Sequence, residues 1–178
     1  MSTTEKDPRY PIGHFREQPF SDTWKRQWFN DIRNLPAILE QVVQNMDEAQ
    51  LETPYRDGGW TVKQLVHHVA DSHMNAYIRF KLGLTEINPT IKPYDEHAWS
   101  QLADTNTTPV NISLTLLHAL HRRWVAILTE MTDEDFDKTI IHPDKSKPIT
   151  LWNMLGTYSW HGNHHVAHIT TLKEQKNW

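Results

Sequence analysis

The sequence predicts an all-α fold, a four-helix bundle in which two of the helices are joined by a long crossover. Three observations carry this. Apolar residues recur at helical spacing in four separate stretches. Capping signals stand at the start of two of them. The long segment over 85–111 is rich in Pro, Thr and Asn and bridges helix ends. A chain of 178 residues is the size of one ordinary domain, so a single domain over 1–178 is expected.

Residues 1–20 carry three prolines and little periodicity, which predicts an extended arm laid on the domain. A first helix is expected from Ser21 or Asp22 to about Met46, with Leu39, Val42, Val43 and Met46 at helical spacing and Pro36 set to kink or split it. The stretch TPYRDGGW (53–60) reads as a loop, and TVKQ after it is a capping box with Thr61 capping and Gln64 reaching back. The second helix is expected over 62–84. Val62, Leu65, Val69, Ala76 and Phe80 form its main apolar face, and Met74, Ile78 and Leu82 form a second stripe that predicts a contact between subunits.

Within 85–111 a short helical turn is expected at DEHAWSQL. The third helix, 113–131, places Leu117, Leu120, Trp124, Ile127 and Met131 on one face as an ordinary core stripe. KTIIHPDKSKPITL (138–151) reads as a small hairpin, and Thr150 caps a fourth helix reaching about Lys173. MDEAQL and WTVKQLV are echoed by MTDEDF and ITLWNML, a hint of two similar helix pairs. Trp60, Trp124, Trp152 and Trp160 are read as filling the bundle rather than binding a ring substrate.

The charge balance, 22 acidic against 18 basic residues with the basic ones scattered, argues against nucleic acid and anionic membranes as partners. No apolar run approaches the roughly 20 residues of a spanning helix, and MSTTEKDPRYPIGHF lacks the apolar region of a secretion signal. A soluble, cytoplasmic protein is expected. With no cysteine, any metal must be held by His, Asp or Glu, which draws attention to the twelve histidines.

Four of these lie in WHGNHHVAHITTL (160–172). His161 and His165 are four apart, as are His164 and His168, so each pair shares a helix face and can share one ion. The competing reading is that they are surface or hydrogen-bonded core histidines. A third ligand would come from LVHHVADSHMN: His67 falls on the outer face near Asp71, His73 within the apolar face, and His68 at its edge beside Ser72, Asn75 and Arg79. Periodicity does not choose cleanly, although the edge suits an open site. The zincin pattern H-E-x-x-H is absent, because Gly162 follows His161.

PYRDGGWTVKQLVHHVADSHMNAYIRFKLGLTE, KPYDEHAW, IIHPD and YSWHGNHHVAHIT closely resemble the YfiT group of the DinB superfamily over nearly the whole chain. The resemblance implies a DinB-type bundle, usually a homodimer, with one divalent metal on three histidines. The matching positions are His68, His161 and His165. His67, His73, His164 and His168 then become supporting candidates.

Three neutral imidazoles would leave an ion its full charge and an open position, the arrangement of catalytic zinc, with nickel also suited to imidazole. The expected activity is attack by water on an electrophilic small molecule, a metal-dependent hydrolase. Family members also resemble transferases for bacillithiol and other low-molecular-weight thiols, so a thiol S-transferase is the alternative, and a non-catalytic metal-binding dimer is a third. Arg56, Asp57, Arg79, Tyr94 and Asp95 are candidate assisting groups, each of them equally at home as a turn, packing or surface residue.

Overall fold

Ser21 opens the first long helix by accepting the Trp24 N–H at 3.3 Å, and α1 then runs Asp22–Val43. The computed structural model describes residues 7–145 and 147–178. Asp47 and Gln50 form a capping box around a single helical turn, α2 (Glu48–Leu51), which the sequence reading did not anticipate. Thr61 and Gln64 form the expected capping box of α3 (Val62–Thr85): each accepts the other's backbone N–H, at 3.1 and 3.0 Å.

The long connection holds α4 (Glu96–Trp99), capped by Asp95, and α5 (Ala103–Thr107). α6 is Val110–Glu130, starting three residues before the expected position. A 3-10 turn (Glu134–Asp137) and the two-residue strands β1 (Thr139–Ile140) and β2 (Ile149–Thr150) follow, paired antiparallel as the expected hairpin. Thr150 accepts the Asn153 N–H and starts α7 (Leu151–Lys176). The short turns at 48–51 and 134–137, each preceding a Thr-capped long helix, are the structural counterpart of the sequence echo.

α1 and α3 each pack against both α6 and α7, so the long helices consecutive in the chain at each end, α1 with α3 and α6 with α7, sit diagonally across the bundle. Two apolar clusters fill it. One gathers Trp28, Phe80, Trp124, Phe136 and Trp152, and the other Leu39, Leu65, Val66, Leu117 and Ile169. In α7 the histidine-rich stretch 161–168 lies between Tyr158 of the first cluster and Ile169 of the second. Met74 and Leu82 pack against the first cluster, while Ile78 between them is 50% exposed.

Pro36 does not split α1, which runs through it without a break. Its effect is local: a proline has no N–H to give the carbonyl four residues back. That carbonyl, Ile32, instead meets Nδ1 of His121 from α6 at 2.5 Å.

α1 and α7 approach closely at two glycines. A Cβ on Gly156 would lie 2.6 Å from Trp28 Cη2, and one on Gly162 2.6 Å from Leu35 Cδ2. Gly162, which stands where a zincin would carry its glutamate, is thus a packing residue. The N-terminal arm lies along α7, where Trp152 and Trp160 donate their indole N–H groups to the carbonyls of Gln18 (2.8 Å) and Gly13 (3.0 Å). Residues 1–6 of the expected arm lie outside the described residues. No helix among the described residues is long and apolar enough to cross a membrane.

Candidate metal centre

The capping box fixes where α3 begins, and Trp60 just ahead of it leans on the His68 ring with 4.5 Å between centroids. From the other side, successive turns of α7 present His161 and His165. Nε2 of His161 lies 3.2 Å from Nε2 of His68 and 3.1 Å from Nε2 of His165. Ligand atoms of the three residues all fall within 4.8 Å of one another, and among the described residues this is the group of side chains so disposed to hold an ion.

Geometry tests the fit. Three imidazole nitrogens at about 2.0–2.1 Å from a tetrahedral zinc sit roughly 3.3 Å apart, and the two Nε2 separations here fall close to that value. Electrostatics agrees. Burial pushes His68 down to about 4, and burial first, with neighbouring histidines second, drives His161 and His165 well below the ordinary histidine range. All three are therefore neutral at pH 7, the state in which imidazole ligates.

The other histidines are placed differently. His164 and His168 face each other, Nε2 to Nε2 at 3.0 Å, against Trp160 and Tyr55, and His164 Nδ1 is buried without a partner. His67 is not on an outer face but buried between α3 and the α5–α6 region: its Nε2–H donates to the Thr108 carbonyl (3.1 Å) and its Nδ1 meets Ser113 Oγ (2.7 Å). Its short polar partners arrive from the long connection, whose course the helical wheel of α3 alone does not contain. His73 is fully enclosed, as expected for the apolar face, and contacts His161 and His121.

A cavity of about 460 Å³ opens onto the three convergent histidines, walled by Arg56, Trp60, Glu96, His97 and Trp160. Of the five assisting candidates only Arg56 lines it. Asp57 faces the neighbouring groove near Asp7 and Glu174. Arg79 donates to the Tyr158 hydroxyl at 3.1 Å, Asp95 caps α4 through the Ala98 N–H at 2.9 Å, and Tyr94 packs on Trp99 with its hydroxyl buried and unpartnered. Trp124 and Trp152 do fill the core, whereas Trp60 and Trp160 wall the cavity.

The carboxylate that reaches the cavity is Glu96, one residue beyond the one the sequence drew attention to. Its acidity is weakened chiefly by partial desolvation at the cavity wall, where the residue is still exposed to solvent, with Arg79 opposing the shift. The signal was available: an Asp that caps a helix is engaged by backbone N–H groups, which leaves the next acidic residue free.

A family model of the DinB superfamily matches residues 31–169. The chain belongs to the DinB superfamily. Among curated relatives, "Putative metal-dependent hydrolase YfiT" of Bacillus subtilis (strain 168) is 52% identical over 170 residues, covering 95% of this chain and 96% of the relative. A Bacillus cereus (strain AH820) protein, also described as a "Putative metal-dependent hydrolase", is 51% identical over 173 residues, covering 97% of this chain and 99% of the relative. The solved structure of Bacillus subtilis YfiT, described as "a probable metal-dependent hydrolase with an unusual four-helix bundle topology", superposes on this chain with a TM-score of 0.93, covering 96% of it and 98% of YfiT. The diagonal placement of consecutive helices belongs to this DinB protein's bundle as a whole.

Proposed function

We propose that this DinB-superfamily protein is a divalent-metal-dependent hydrolase that opens an electrophilic small molecule in the cavity beside His68, His161 and His165. The observation that carries the reading is the convergence of three neutral Nε2 atoms, at metal-ligand spacing, in the wall of an open cavity. Zinc is the first choice of ion and nickel the second, on the preference of imidazole for both. Bound there, such an ion supplies Lewis acidity and brings the pKa of water down to about 7.

The chain supplies the rest. Glu96 at the cavity wall takes up the proton released by the attacking water, its weakened acidity bringing it closer to neutrality. Arg56 offers a guanidinium to an anionic group of the substrate, its Nε buried without a protein partner. Trp60 and Trp160 give the open cavity apolar wall area against which an uncharged part of the substrate can lie. For assembly, the half-exposed Ile78 between Met74 and Leu82 supports a homodimer, which light scattering on the purified protein tests.

The experiment is metal content of the purified protein, followed by turnover of an activated ester or amide with and without an added low-molecular-weight thiol. About one ion per chain with thiol-independent turnover is the expected result. Turnover that requires the thiol, and a product that carries it, would replace the hydrolase with an S-transferase. A folded protein without ion would remove the site.

A further inference from the structure

Behind His161, on the side away from the cavity, stands a line of buried polar groups that the reaction does not use. His161 Nδ1 lies 3.2 Å from His73 Nε2. His73 Nδ1 lies 3.0 Å from His121 Nε2, and His121 Nδ1 lies 2.5 Å from the Ile32 carbonyl. Four elements contribute: α7, α3, α6 and α1.

The direction of every bond in this line follows from its far end. A carbonyl oxygen only accepts, so His121 must carry its proton on Nδ1. Ring charge is disfavoured here, because His73 is 0% and His121 1% exposed and, among the described residues, no carboxylate bonds to either ring. A neutral His121 therefore accepts at Nε2, which obliges His73 to donate from Nδ1. A neutral His73 in turn accepts at Nε2, which obliges His161 to donate from Nδ1. The Nε2 of His161 is left with its lone pair, aimed at Nε2 of His68 and of His165.

The anchor exists because of Pro36. Any other residue at that position would offer its N–H to Ile32 in the ordinary helical bond, whereas proline leaves the carbonyl to His121.

We propose that His73 and His121 are positioning residues that hold His161 in its Nδ1–H tautomer through a hydrogen-bonded chain ending on the Ile32 carbonyl freed by Pro36. A metal-binding histidine elsewhere commonly donates its second nitrogen to a carboxylate or carbonyl, which fixes ring and tautomer. Here two further histidines carry that role across the width of the bundle. His165, by contrast, has a buried Nδ1 with no partner, so His161 is the member of the set that the fold orients from behind. The consequence for metal affinity rests on the proposed ion site, while the tautomer assignment does not.

The test begins with metal-free wild-type protein labelled with ¹⁵N in histidine. Long-range ¹H–¹⁵N correlation spectra are expected to show Nδ1 protonated and Nε2 bare in His73, His121 and His161. A proton on Nε2 of any of the three overturns the proposal, whether or not the protein binds metal.

Zn²⁺ affinity, read by chelator competition, then tests the consequence. His73→Phe is expected to lose about 10–100-fold, the usual cost of removing an outer partner of a ligand. His73→Gln, whose amide can accept from His161 and donate to His121, is expected to keep most of the affinity. Unchanged affinity in His73→Phe overturns the proposal, and so does an equal loss in the Phe and Gln variants, which would mark a packing effect. If His73→Phe does not fold, the wild-type spectra and the Gln variant still decide. Absence of Zn²⁺ binding in wild type, with the expected tautomers present, would refute the ion site and leave the relay standing.

Discussion

Acidification is expected to unfold the metal-free protein well above the pH at which carboxylates protonate, and the cause is buried histidine. His68 and His121 are 5% and 1% exposed, and burial holds both at about 4 against an ordinary 6.5. Below pH 6.5 the unfolded chain takes up protons at these positions that the folded chain refuses, so stability is full above 6.5 and is lost as pH falls towards 4. Each histidine contributes about 3 kcal/mol over that window. Together they are worth about 6 kcal/mol, a large part of the roughly 5–15 kcal/mol of a typical domain. Asp71 works in the opposite sense. Desolvation raises it to about 6, so its contribution is present at low pH and lost as pH rises through 6, and partial exposure keeps it the smaller effect. Between pH 6.5 and 5 the loss from these two histidines alone is about 3 kcal/mol, which at a urea dependence of about 2 kcal/mol per molar moves the unfolding midpoint down by at least about 1.5 M, since His73, His161 and His165 are depressed in the same sense. Urea titrations of chelator-treated protein at fixed ionic strength measure this. A midpoint that stays level from pH 6.5 to 5 would refute the assignment of His68 and His121 as buried neutral groups.

Three further outcomes follow from the same geometry. His68→Ala, His161→Ala and His165→Ala are each expected to abolish stoichiometric Zn²⁺ or Ni²⁺ binding, whereas His164→Ala keeps it, as metal analysis after dialysis will show. Glu96→Gln is expected to lower kcat by about 100-fold or more while leaving metal content unchanged, and wild-type turnover in that variant would remove Glu96 from the proton transfer. Gly156→Ala gains about 1 kcal/mol of helix propensity but drives a methyl to within 2.6 Å of an indole already packed against Trp24 and Trp152. Overpacking of about 1–3 kcal/mol should win, so thermal unfolding is expected several degrees lower; a higher Tm would mean that Trp28 is free to move.

What could be read from the sequence divides along a physical line. Features set by neighbours in the chain were legible: the Thr61–Gln64 box, the Thr150 cap and the shared face of His161 and His165 depend on spacings of four residues or fewer, and the hairpin over 138–151 closes around a turn within about a dozen residues. Features set by the approach of one helix to another were not. The wheel of α3 places His67 outside because it does not contain the segment carrying Thr108 and Ser113, which closes over it. Glu96 falls on the local side of the line: an Asp placed to cap a helix leaves the next carboxylate free, a signal the chain itself carries.

Pro36 and His121 show the same divide from its more instructive side. Pro36 is read from the sequence only as a proline that disturbs a helix, and His121 is passed over, although it stands four residues after Leu117 and three before Trp124 and hence on the buried stripe of α6. A polar ring on an apolar stripe needs a partner, and a helical proline leaves a carbonyl that needs a donor. Taken separately the two facts are irregularities in two helices. Taken as a donor without an acceptor and an acceptor without a donor, they match, and the match predicts which faces of α1 and α6 must meet. The pairing of unmet hydrogen-bonding groups thus carries information about helix register that apolar periodicity lacks, and here it leads from the buried contact of one helix pair to the His161 nitrogen that faces His68 and His165.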